Sequence, residues 1–184
     1  MKKSLLASLC VAALALTACD KKTNEAPASS ATTSTSTTTQ PVTASLSSNN
    51  SADIKSDLDQ IQMLSNKNSQ EATDLQNKAN QAVQKGDKAT LTSTVAQMKT
   101  YINKFNQELD ALKLKSSEVN VVRDKIRESN NLGIVLAETS LESSPNKQKV
   151  TELQNRAAQL QKELMTEMQA LQNQVKTAPA KTTP

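Results

Sequence analysis

From Leu91 onward the apolar residues fall at alternating intervals of four and three: Leu91, Val95, Met98, Ile102, Phe105, Leu109 and Leu112. The same register continues through Ser116 and Val119 to Ile126 and Asn130. Such spacing draws one stripe along one side of an α-helix, and only further helices laid against it can bury a stripe of that length. The chain is therefore committed to an all-α fold. No Pro or Gly occurs from Lys88 to Leu132, so one helix is predicted over residues 88–142, about 80 Å long at 1.5 Å per residue. Ser116-Ser117 and Gly133 are the places where it would break.

Two shorter stripes flank it. Ile54, Leu58, Ile61, Ser65, Asn68, Ala72, Leu75, Ala79 and Ala82 share one face of a helix predicted over 52–85. Gly86 suits a left-handed helix end, and Asp87 suits the cap of the helix that follows. Downstream, Ser143-Ser144-Pro145-Asn146 ends the long helix and opens another, since Ser and Asn favour caps and Pro favours a first turn. Val150, Leu153, Ala157, Leu160, Leu164, Met168, Leu171 and Val175 line a helix over 147–177. Its four-four step from Leu160 to Met168 is a local stutter in the heptad.

Two tight turns fold the outer helices back along the long one. The expected body, residues 52–177, is an elongated arrangement of antiparallel helical hairpins, a three-helix coiled-coil-like bundle with its shared core beside the middle of the long helix. Small and polar residues at Ser65, Asn68, Ala72, Ala79 and Ala82 admit two readings. They allow close packing with a polar residue that sets register, or they leave the first hairpin waiting for a partner. Leu132-Gly133-Ile134-Val135-Leu136-Ala137 cannot all face one stripe. Either these residues are enclosed at a helix junction, or some form a docking patch in which Gly133 lets another backbone approach.

The stretch before the body is different material. Pro27 and Pro41 flank the run Ala28-Ser29-Ser30-Ala31-Thr32-Thr33-Ser34-Thr35-Ser36-Thr37-Thr38-Thr39, which lacks the apolar surface needed to offset ordering. Residues 19–51 are expected to be a disordered linker with a typical span of about 30 Å and a stretched limit near 100 Å. The tail, 178–184, is expected to be disordered as well.

At the other end of that linker, Met1-Lys2-Lys3 precedes an apolar run from Leu5 to Leu16 broken only by Ser8, then Thr17, Ala18 and Cys19. The run is too short for a membrane span, which takes about 20 residues. Leu16-Thr17-Ala18-Cys19 resembles the lipobox of bacterial lipoproteins. The resemblance implies removal of residues 1–18 as a signal peptide, and a diacylglycerol and an N-acyl chain such as palmitate on Cys19. It also implies a body held at the membrane without crossing it. In enteric members an aspartate after the lipidated cysteine resembles the signal for retention in the inner membrane, so Asp20 favours that membrane, on its periplasmic face. Murein lipoprotein shares the lipobox and the heptads but ends in the lysine joined to peptidoglycan, a pattern from which Lys181-Thr182-Thr183-Pro184 departs.

Chemistry is sparse. There is no His and no Trp, and one Tyr and one Phe. That removes the commonest base, the commonest metal ligand and an aromatic stacking platform. The lipobox resemblance implies that Cys10 leaves with the leader and that Cys19 is blocked by lipid, which would leave no thiol for a disulfide, a metal or a nucleophile. Two of the four formal positive charges belong to Lys2 and Lys3 of the leader. The remaining charges are interspersed, as on a solvated helix surface and unlike a nucleic-acid footprint. Asp57-Asp59 and Glu163-Glu167 read as solvated face residues. Arg123, Lys125 and Arg127 alternate with Asp124 and Glu128, against a dedicated anion site.

The expectation is a non-enzymatic envelope protein without cofactor or metal, anchored through Cys19 and acting through a protein partner or self-association as a helical scaffold. The alternative is a periplasmic carrier or chaperone whose bundle opens around an apolar ligand or client.

Overall fold

A computed structural model describes residues 45–177. Cys19 with its lipobox, nearly all of the linker and the 178–184 tail lie outside the described residues. Four helices follow in order: α1 (Ser51–Lys85), α2 (Lys88–Asp110), α3 (Ser117–Leu141) and α4 (Lys147–Thr177). The class is all-α, as the periodicity requires, but the described residues form four helices where three were expected.

The difference lies in the helix expected over 88–142, which ends at Asp110 and restarts at Ser117. The chain reverses between them, so α3 lies antiparallel beside α2 instead of extending it. Helix α1 packs on α2, α2 on α3, α3 on α4 and α4 back on α1, with α1 also reaching α3. The expected pairings of the outer helices survive, and folding the middle helix turns three helices into a closed ring of four. Gly133 does not interrupt α3.

Local chemistry sets the other boundaries. Asn50 caps α1, its side chain accepting from the Ala52 and Asp53 amides at 3.1 and 3.3 Å. Gly86 closes the helix at φ 68°, its N–H donating to Val83 O at 3.2 Å while Asp87 N–H reaches Ala82 O at 2.9 Å. This is the left-handed ending that only glycine adopts without strain. The Asp87 carboxylate then accepts from the Thr90 amide at 2.9 Å and the Thr90 hydroxyl at 2.7 Å, which holds its pKa below the usual carboxylate range. Asn146 caps α4 through the Lys149 amide at 3.1 Å.

Most of each stripe read from the sequence is buried, while Ser65, Leu75, Leu112, Val150, Leu153, Ala157 and Val175 are half-buried. Ile54, Leu58, Ile61, Ala72, Ala79 and Ala82 of α1 are buried, as are Leu91, Val95, Met98, Ile102, Phe105 and Leu109 of α2. Val119, Val122, Ile126 and Ile134 of α3, and Leu160, Leu164, Met168 and Leu171 of α4, are buried as well. Around the α1–α2 turn, the three alanines of α1 cluster with Leu91, Met98, Tyr101, Ile102 and Ile134. The small residues of α1 thus pack closely within the chain itself.

Polar side chains set the register between neighbours. Asn68, buried, donates to Leu64 O at 2.9 Å and to the Glu108 carboxylate at 3.1 Å, and its own carbonyl accepts from the Tyr101 hydroxyl at 3.2 Å. Asn106 of α2 donates to Asn131 at 3.0 Å and accepts from Asn130 at 2.9 Å, both on α3. Lys125 of α3 holds Glu167 and Glu163 of α4 at 2.5 and 3.5 Å. The exposed ion pairs Lys99–Glu138, Arg127–Asp110 and Arg156–Glu128 are worth at most about 1 kcal/mol each. They mark alignment more than they stabilise.

Candidate functional site

The chemistry-bearing side chain that stands apart is Asp57, which is fully buried. Its Oδ2 accepts from the Lys115 amide at 2.8 Å, and from the Ser116 amide and hydroxyl at 2.7 Å each. Gln60 donates to Oδ1 at 3.3 Å. One carboxylate on α1 therefore ties down the α2–α3 turn at the point where α3 begins. A negative group at a helix N-terminus meets the free N–H groups and the positive end of the helix dipole.

This corrects the reading of Asp57 as a solvated face residue. Position 57 lies three residues after Ile54 and four before Ile61, so it borders their stripe, and the α2–α3 turn covers it. Its neighbour Asp59 is the exposed one, paired with Lys55 at 2.6 Å. Glu163 and Glu167 converge on Lys125, and Glu163 is held below the usual carboxylate range first by a hydrogen bond from Gln159 and then by Lys125.

The last residues of the expected linker are also part of the site. Ser47 donates its N–H to Lys115 O at 2.7 Å and accepts from the Ser117 N–H at 2.9 Å, forming an isolated parallel bridge with Ser116. Its hydroxyl reaches Lys115 O at 3.1 Å, and the Ser117 hydroxyl reaches Ser47 O at 3.1 Å. Beside it, Glu118 accepts from the Asn49 amide at 2.6 Å and the Ser48 hydroxyl at 3.2 Å. The Asn49 bond is the main reason that the Glu118 pKa falls below the usual 4.5. Asn49 itself sits at φ 57°, a left-handed conformation that asparagine tolerates. Residues 47–50 thus form a strap clipped to the start of α3. The disordered linker expected through residue 51 gives way to this strap because its backbone finds partners in the turn. The body begins some five residues earlier than periodicity alone marks.

The other positions singled out by sequence are accounted for. In the Leu132–Ala137 run, Ile134, Leu136 and Ala137 are buried and Val135 is 42 % exposed. Half of the run is buried because α3 has neighbours on two sides, and Val135 is left exposed. Nothing lies within 4 Å of a Cβ built on Gly133, so that glycine permits no close backbone approach here. Arg123 donates to Leu112 O at 3.4 Å and to the Asn120 side chain, while Arg127 is taken up by Asp110 and Asp124. A cavity of about 20 Å³ lies between Ala79, Val83, Leu91, Val95, Ala137 and Leu141, room for roughly one water. No described helix is long and apolar enough to cross a membrane.

A family described as "Uncharacterised lipoprotein PM1805" matches residues 55–176, which is the helical body without the strap, linker or lipobox. No curated protein and no solved structure matches the chain.

Proposed function

The chain belongs to this lipoprotein family, and from that premise we propose that it is a non-enzymatic envelope scaffold whose four-helix body contacts a protein partner or a second copy of itself. Lipid on Cys19 holds the body at a membrane, facing the periplasm. Asp20, directly after the lipidated cysteine, favours the inner membrane.

The observation that favours scaffold over carrier is the close packing of the described helices. Carrier sites for apolar ligands run to several hundred Å³, whereas the cavity at the α1–α2 end is about 20 Å³. The stripes that could open around a client are instead pinned by Asn68–Glu108 and by the Asn106–Asn130–Asn131 cluster. What is left for recognition is the surface.

The test is native mass and lipid content of the mature chain with Cys19→Ser, together with cross-linking of the lipidated chain in cells. Self-association or a reproducible cross-linked protein is expected. A clean monomer carrying stoichiometric lipid would replace this reading with the carrier. Sedimentation of the wild-type membranes on a density gradient tests the Asp20 assignment separately.

A further inference from the structure

Because Ser47 is bonded to Lys115 and Ser117, the chain that leads back to Cys19 leaves the bundle beside the α2–α3 turn. That turn contains Leu112-Lys113-Leu114-Lys115, with both lysines exposed and both leucines half-buried. Among the described residues, neither lysine ammonium has a carboxylate within 4.0 Å. The acids nearby are committed elsewhere: Asp57 to the turn, Glu118 to Asn49, Asp110 to Arg127. Helix α4 runs antiparallel to α3 and brings exposed Lys176 to the same end.

We propose that this turn is a membrane-docking surface, and that its partner is the anionic phospholipid headgroup layer of the bilayer that holds the Cys19 lipid. The inference rests on the lipid-anchored reading above and adds to it an orientation. A lysine held near an anionic bilayer strengthens the contact by about fivefold. Lys113 and Lys115 together supply roughly twenty-five-fold, and Leu112 and Leu114 between them offer apolar contact at headgroup depth. A contact of that strength would be negligible for a free protein. It becomes effective when the anchor confines the body near the surface, since the second contact is then intramolecular.

Charge alone does not select this end. The opposite tip carries exposed Lys85, Lys88, Lys147 and Lys149, also without ion-pair partners among the described residues. The strap decides between them, because it ties the anchor-bearing chain to the α2–α3 turn.

The two ends can be compared directly in the full lipidated chain. With Cys19 acylated, a single thiol at Ala111→Cys in the turn, or at Ser144→Cys in the α3–α4 turn, takes a fluorescent donor. Energy transfer is read to a headgroup-labelled lipid in phosphatidylglycerol-containing vesicles and in neutral vesicles. Transfer from position 111 should exceed that from 144 in anionic vesicles. The docked population, read as the excess of transfer from position 111 over position 144, should fall about tenfold or more with Lys113→Glu/Lys115→Glu, and likewise in 1 M salt, where screening acts within about 3 Å. Lys85→Glu/Lys88→Glu should leave it unchanged. Ser47→Pro removes the strap's donor and should weaken the preference for position 111 while the melting curve still reports a folded bundle. Equal transfer from the two positions, greater transfer from 144, or indifference to reversal of Lys113 and Lys115 overturns the inference while the anchor stands. A chain that does not remain with the vesicles at all overturns both.

Discussion

Replacing Asp57 with Ala removes the acceptor on which the Lys115 amide, the Ser116 amide and the Ser116 hydroxyl converge. The three donors fare differently afterwards. The bond from the Lys115 amide is only part-buried, which leaves that donor the nearer to water, and the Ser116 hydroxyl can rotate. The Ser116 amide belongs to a fully buried residue, and leaving it without a partner costs about 1–3 kcal/mol. Loss of the bond from the hydroxyl to a carboxylate adds about 1.5 kcal/mol. Loss of a negative group at the start of α3 adds about 0.5–1 kcal/mol. The relief of no longer burying a carboxylate opposes these, and the net expectation is a loss of about 3 kcal/mol. Urea unfolding of the soluble Cys19→Ser chain measures it, with Asp59→Ala as the control. Asp59 has the same chemistry two residues away, but its pair with Lys55 is more than half exposed on both sides, and its loss should cost under about 0.5 kcal/mol. Asp57→Asn retains one carbonyl oxygen and should fall between wild type and Asp57→Ala. Hydrogen exchange should accelerate most at Ser116 to Asn120. If Asp57→Ala unfolds with the same midpoint as Asp59→Ala, the carboxylate does not hold the turn.

Four further outcomes follow from the same geometry. Ile102→Asn places an amide with no prepared partner among Ala79, Met98 and Ile134 and should lower stability by about 2–4 kcal/mol, read as a drop in melting temperature; an unchanged Tm would show that the stripe is not interior. The two glycines should respond oppositely: Gly86→Ala strains a residue at φ 68° and costs about 1 kcal/mol, whereas Gly133→Ala meets open space inside a helix and gains about 0.5–1 kcal/mol. Glu118 has a folded-state pKa below its usual 4.5, so its contribution is fully present above that value and is lost as pH falls through the lowered one; Glu118→Gln should flatten this part of the acid limb, and an unaltered limb would mean that the strap does not engage the carboxylate. Cys19→Ala should move the protein from the membrane to the soluble fraction with its helical circular dichroism intact, and unchanged membrane fractionation would remove the anchor assignment.

What the sequence determined by itself is local in origin. Helical spacing of threes and fours states which side of a helix is apolar, so most of Ile54 to Ala82, Leu91 to Leu109 and Leu160 to Leu171 could be assigned to the interior without coordinates. The endings at Gly86, Asp87 and Asn146 were legible because each cap is made by residues within a few positions of one another. The lipobox is equally local, and the family that matches residues 55–176 is a lipoprotein family. The fold-back at 111–116 is of another kind. No Pro or Gly marks it, and Ser116 and Val119 continue the stripe of α2 in register, so short-range preferences favour neither a continuous helix nor a turn by much. The turn is decided by Asp57, 59 residues before Ser116, and by Ser47, whose backbone bridges Lys115 and Ser117. Those partners exist only once α1 lies beside the turn. A carboxylate that reads as one more helix-surface charge therefore becomes the buried group that divides one long helix into two, and only the tertiary structure could assign it that place.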